Sequence, residues 1–194
     1  MADQKPIEAI ATLVLAGAVF LYFTGRLDGV IASFHRMGTP PNPPAEDAAL
    51  ATLHRYTAEY SGADNDIIRA RLTAQRNTEL CAALPRKVEG WVGRLSELSL
   101  IGTGGTMLTV DLDGKVSVRT WNNMVSDAVD HSTVPPNTPL ASKLETMKTG
   151  SVVRFDGQFI PSGKSCIHEM SATTAGGMES PELLFRFTDV QPVK

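Results

Sequence analysis

The rhythm of apolar and polar positions changes three times along the chain. From Ile7 to Phe23 (IEAIATLVLAGAVFLYF) it is apolar except for Glu8 and Thr12. As a helix this run spans roughly 25 Å, near the lower limit for crossing a bilayer core of about 30 Å. Leu27, Val30, Ile31 and Phe34 then recur at helical spacing. The pattern predicts one long helix within residues 1–37, a membrane span with an interfacial extension. A cleaved signal peptide and a buried core helix are the competing readings. Against the first, Asp3 and Glu8 oppose Lys5 where a leader needs a basic start. Arg26 and Arg36 follow the span and Lys5 precedes it, so the charge rule sets no orientation.

Residues 38–44 (GTPPNPP) hold four prolines and cannot continue a helix, which predicts an extended, stiff linker. Helical spacing resumes at Ala45, with Leu50, Leu53, Tyr56 and Tyr60 near one face. Ser61-Gly62-Ala63 breaks it. Asp64 or Asn65 caps a second helix running to about Leu84, where Pro85 closes it. Residues 45–85 are therefore expected to form a two-helix neck whose mixed charges mark solvated faces.

From Lys87 the rhythm becomes period two with turn punctuation. Strands are predicted at 88–98, 107–112, 115–121, 151–160, 165–173 and 183–190, and Asp113-Gly114 is a hairpin signal. An irregular crossing (Asn122–Thr138) and a short helix beginning at Pro139 separate the third and fourth strands. Val116, Val118 and Thr120 alternate inward, as do Val153, Phe155 and Gly157. Gly157 inside a strand suits a tight bend. The fold expected for residues 86–194 is mainly β, an OB-like Greek-key barrel ordered β-β-β-α-β-β with one extra strand.

Composition narrows the function. The chain has 194 residues, 42% hydrophobic and 20% charged, with a net charge of −3, which excludes general disorder. Residues 86–194 carry 11 Lys and Arg against 12 Asp and Glu. Single-strand nucleic-acid binding needs a basic groove beside aromatic platforms, and this balance disfavours it. Cys81 and Cys166 are too few for a disulfide framework and lack metal spacing. They form either one disulfide, which implies an oxidising compartment, or two buried thiols. Cys166 and His168 share a strand face, so a thiol enzyme is a weaker alternative, without an acid to orient the histidine.

Trp121, Asn122, Asn123 and Asp127, with Ser126, Asp130 and His131 nearby, form the densest polar cluster. One reading is a ligand pocket or weak metal site. The other is a structural corner whose side chains bond nearby backbone amides, as Asn and Asp do in irregular loops. Asp111-x-Asp113-Gly114 opens like a calcium loop but has Asn122 where the closing acidic residue belongs, so a turn explains it. Gly102-Thr103-Gly104-Gly105 lacks the lysine of a phosphate loop. No catalytic set, metal site or cofactor is expected from these motifs.

The segments GWVG (Gly90–Gly93), TWNNMVSD (Thr120–Asp127), VVRFDGQF, CIHEMS and ELLFRFTD together resemble a group of uncharacterised bacterial membrane-tethered OB-like domains. The resemblance covers residues 88–189, with a weaker echo around Cys81. It implies the architecture and a cell-envelope setting, and no activity. The expectation is a single-pass inner-membrane protein, held in the lipid bilayer by residues 7–23, with the barrel on the periplasmic or extracellular side. There it serves as a non-enzymatic binding or assembly module for a protein partner or small ligand. The alternative is a cytoplasm-facing OB domain that binds nucleic acid or a nucleotide near the membrane.

Overall fold

The computed structural model describes residues 40–193, apart from 103 and 164. The membrane-anchor helix expected within residues 1–37 lies outside the described residues. Among those described, no helix is long and apolar enough to cross a membrane.

Helix α1 (Pro44–Ser61) starts with proline in its first turn, where the missing N–H costs nothing. Helix α2 (Asp66–Ala83) is capped by Asn65, whose side chain accepts from the Ile68 N–H at 3.0 Å. The pair does not stand off as a separate neck. Ala49, Leu50, Leu53 and Leu80 belong to the same apolar core as Trp91, Leu95, Phe155 and Phe185, and residues from 40 onward form one compact unit. Tyr56, Tyr60, Leu72 and Met178 make a smaller second cluster.

Five strands then close into a barrel: β1 (Val88–Ile101), β2 (Gly105–Asp111), β3 (Ser117–Arg119), β4 (Val152–Phe159) and β5 (Glu182–Pro192). The spatial order is β1-β2-β3-β5-β4, closing β4 on β1. The β3–β5 pair is parallel and the others are antiparallel. Between β3 and β4 lie the short helices α3 (Met124–Asp130) and α4 (Pro139–Leu144), and α5 (Thr174–Glu179) precedes β5. This arrangement is consistent with an OB-like barrel. Inward alternation is as the pattern demands, with Val118, Val153 and Phe185 fully buried. Trp91, Phe155, Phe159, Phe185 and Phe187 meet edge-on, ring centroids 4.9 to 6.4 Å apart.

Two further expectations need correction. The fifth strand expected over 165–173 is absent, and the sixth, over 183–190, takes its place as β5. The 165–173 segment contributes only isolated pairings, Ser165 with Ser162 and Glu169 with Leu183, because Cys166 is tied sideways to Cys81 and α5 follows directly. The crossing after Trp121 is also less irregular than expected, since Asn123 caps α3 by accepting from the Ser126 N–H at 2.9 Å.

Closure brings backbones close. At Gly157, where the β4–β5 register shifts, an added Cβ would collide with the Arg186 carbonyl oxygen and the Phe185 ring, whose Cζ lies 2.8 Å away. Gly157→Ala is predicted to destabilise by about 1–3 kcal/mol, lowering the thermal midpoint by roughly 5 °C in circular dichroism melts. Gly62 has a helical φ of −85° and room for a side chain. Gly62→Ala should leave the midpoint unchanged or slightly raised.

Candidate functional site

The polar cluster forms a corner where the chain leaves β3. Thr120 is buried, and its hydroxyl accepts from the Leu108 N–H at 3.2 Å. The Trp121 N–H donates to Ser132 Oγ at 2.8 Å, and its indole Nε1 donates to Asp130 Oδ2 at 2.7 Å. The indole also meets the His168 ring edge-on at 5.2 Å, which ties the corner to the segment before β5.

Asp127 organises the turn that follows α3. Its Oδ1 accepts from the Ser132 N–H at 2.6 Å, the Ser132 hydroxyl at 2.8 Å and the Thr133 N–H at 3.0 Å, and its Oδ2 accepts from the Thr133 hydroxyl. Burial pushes this carboxyl up, but the four donors outweigh burial and hold it below the usual aspartate value. The chain can double back here because His131 adopts the left-handed conformation, φ 48°. Arg186 on β5 latches the turn by donating to the carbonyl oxygens of His131, at 3.0 Å, and Asp130.

Of the four residues singled out, Trp121, Asn123 and Asp127 each make hydrogen bonds within this corner, while Asn122 is exposed and accepts only from the Asn123 amide, at 3.2 Å. Their polar atoms face their own loop and do not converge on a shared space. Among the described residues no cluster of His, Cys, Asp or Glu is spaced to hold a metal ion. Asp111 and Asp113 accept N–H groups from Asp113, Gly114, Lys115 and Val116, the bonding of a tight turn.

Beside the corner lies an open groove of about 840 Å³. Met124 and Ala128 of α3 form one wall, the 133–140 segment with Pro135, Pro136 and Pro139 forms another, and Ile101 and Arg186–Thr188 complete it. Helix α3 has no buried residue, and Met124, Val125 and Val129 are exposed, as is Leu100 at the end of β1. Sequence reasoning missed these side chains. Those on α3 fall in a stretch read as an irregular crossing, and only the tertiary structure shows them on an exposed helix.

Cys81 and Cys166 are joined in a disulfide, which links the end of α2 to the segment after β4. The Cys166–His168 thiol pair of the enzyme alternative is therefore not present, and His168 packs on Trp121 instead. The same segment is held by Arg76, which is almost fully buried and donates to the Gly177 carbonyl oxygen at 2.5 Å. Arg76 Nη2 is 3.6 Å from Glu169 Oε2, too far for close pairing to offset lost hydration. Burial accordingly pushes the Glu169 carboxyl up and the Arg76 guanidinium down.

Compared with known proteins, the chain matches no family model, no curated protein and no solved structure.

Asp127→Asn should cost about 1–3 kcal/mol, since one face of the donor cluster loses its acceptor. Because the folded carboxyl is held low, its contribution is present above the ordinary aspartate value near 3.8 and is lost as pH falls below it. Acid unfolding followed by tryptophan fluorescence should show a shallower low-pH limb in Asp127→Asn than in the parent.

Proposed function

We propose that the barrel is a non-enzymatic binding module whose groove beside α3 takes an extended, apolar segment of a protein partner. The observation that carries this reading is the pairing of an open strand edge with exposed apolar side chains. Strand β3 covers β5 only at Glu182–Leu184, and the following residues of β5, Arg186–Thr188, line the groove. An extended chain laid along that edge meets main-chain groups on one side and Met124, Ala128 and the prolines on the other. Asp127 and Arg186 are already engaged with the corner, so recognition rests on shape and apolar contact.

The proposed setting is the bacterial cell envelope, with residues 7–23 as a single-pass anchor in the inner membrane and the barrel on its outer side. The apolar run supports the anchor. The Cys81–Cys166 disulfide supports a compartment more oxidising than the cytosol. The OB-like architecture and the motif resemblance agree with this setting. The nucleic-acid alternative draws little support from the β1–β3 exterior, where Arg119 lies between Glu182, at 2.9 Å, and Glu97, at 3.8 Å. Trp91, Phe155, Phe185 and Phe187 are buried and offer no stacking platform.

Purified full-length chain should bind members of an array of extended apolar peptides. Met124→Asp and Ala128→Asp should each weaken that binding at least tenfold without lowering the melting temperature, since both side chains are exposed and line the groove. Binding unaffected by either change overturns the groove assignment, and salt-sensitive binding of single-stranded oligonucleotides favours the alternative. Alkylation of cell-extracted, unreduced protein should label no cysteine until a reductant is added. Two reactive thiols would remove the support for an outward-facing barrel.

A further inference from the structure

Glu46 has no accessible surface, yet it sits on the first turn of α1, where acidic side chains are normally solvated. Its Oε2 accepts from the Val92 N–H on β1 at 2.9 Å. Its Oε1 is buried and has no partner. The Val92 amide is a strand donor in the stretch of β1 before its pairing with β2 begins at Arg94. One carboxyl therefore serves two purposes: it satisfies that donor and seats the start of α1 on the barrel. The groups facing it are Asp47 of its own helix, Arg154 of β4 and Asp113 at the β2–β3 turn, the carboxylates opposing its charge and the guanidinium favouring it. Two turns further along α1, His54 Nε2 lies 2.6 Å from Asp113 Oδ2, a second contact between the same helix and the barrel.

We propose that Glu46 is a proton-operated latch: protonated, its carboxyl seats the first turn of α1 on β1, and ionisation releases that turn from the barrel. A neutral carboxyl fills this site at little electrostatic cost and still accepts the Val92 N–H. An ionised one leaves a charge in a dry site with a single donor, which is costly. The turn that is freed begins at Pro44 and directly follows Pro40, Pro41 and Pro43, so release lengthens the tether that carries the barrel.

The direction of the response follows from linkage. Burial pushes the seated carboxyl up from 4.5 to about 8, whereas in the released turn it has its ordinary value. Opening therefore sheds a proton between those limits, and the opening constant rises about tenfold per pH unit there. Below the lower limit both states are protonated, and above the upper one both are ionised, so the profile is flat at either end.

Hydrogen exchange of the full-length chain between pH 5 and pH 9, corrected for intrinsic rates, tests this. Peptides from the first half of α1 should show an opening constant rising about tenfold per pH unit and levelling near pH 8, while Glu46→Gln shows no slope. His54→Ala should keep the parental slope. A flat parental profile, a slope retained in Glu46→Gln, or an equal slope in peptides from β2 and β4 overturns the proposal; the last outcome marks global unfolding. Independently of any variant, the Val92 amide resonance of the parent should titrate with a midpoint near 8, and a resonance unmoved across that range overturns the proposal too.

Discussion

A single strand has to serve two neighbours at once, and the rest of the barrel follows from that demand. β1 pairs with β4 along its first half and with β2 along its second, and Arg94 is in register with Val152 on one side and Asp111 on the other. Such a strand must bend, and register shifts flank the switch, at Val88/Trp91 against β4 and at Leu95/Glu97 against β2. The switch also presses β1 onto β2. A Cβ at Gly93 would lie 2.5 Å from Val110 Cγ1 and 2.7 Å from the Asp111 carbonyl oxygen. With β1, β2 and β4 so placed, only a short β3 remains to meet β5, and closure there rests on three residue pairs.

That short seam explains why the polar corner exists and why the groove lies beside it. Chain leaving a three-residue strand must turn away at once, and Asp127 holds the turn while Arg186 pins it to β5. The strand edge left uncovered becomes one wall of the groove. Polar side chains satisfy backbone groups inside the corner while apolar ones point outward, the reverse of an ordinary surface helix. The residues that first invite attention as a site are thus the scaffold, and the surface they support is the neighbouring one.

Much of this could be read from residue order. Period-two alternation located β1 to β5, Asp113-Gly114 marked the β2–β3 turn, and the Asp64-Asn65 pair marked the start of α2, with Asn65 the cap. Each is a local signal, decided within a few residues. The failures share a different physical origin. The 165–173 segment alternates like a strand, but a covalent link and a buried Arg76 redirect it. Helix α3 is short and buries nothing, so no amphipathic stripe announces it. Glu46 looked like one more solvated charge of a neck, because only the packing of α1 on β1 reveals that the site is dry. Asp127 was singled out, but its partners Ser132 and Thr133, and the distant Arg186 that pins the same turn through the His131 carbonyl oxygen, were not legible.

The Cys81–Cys166 link spans 85 residues and makes a ring that contains β1 to β4 with α3 and α4, leaving α1 and β5 outside. Tension applied between Pro40 and Pro192 therefore does not run through the ring. After α1 and most of α2 it crosses the sulfur bridge and re-enters the chain just before α5. Four of the five strands are mechanically bypassed, and the load falls on β5, which must shear from β4 and β3 before anything else in the barrel yields. A protein tethered at one end and held by a partner along β5 would feel force at the very seam where that partner sits.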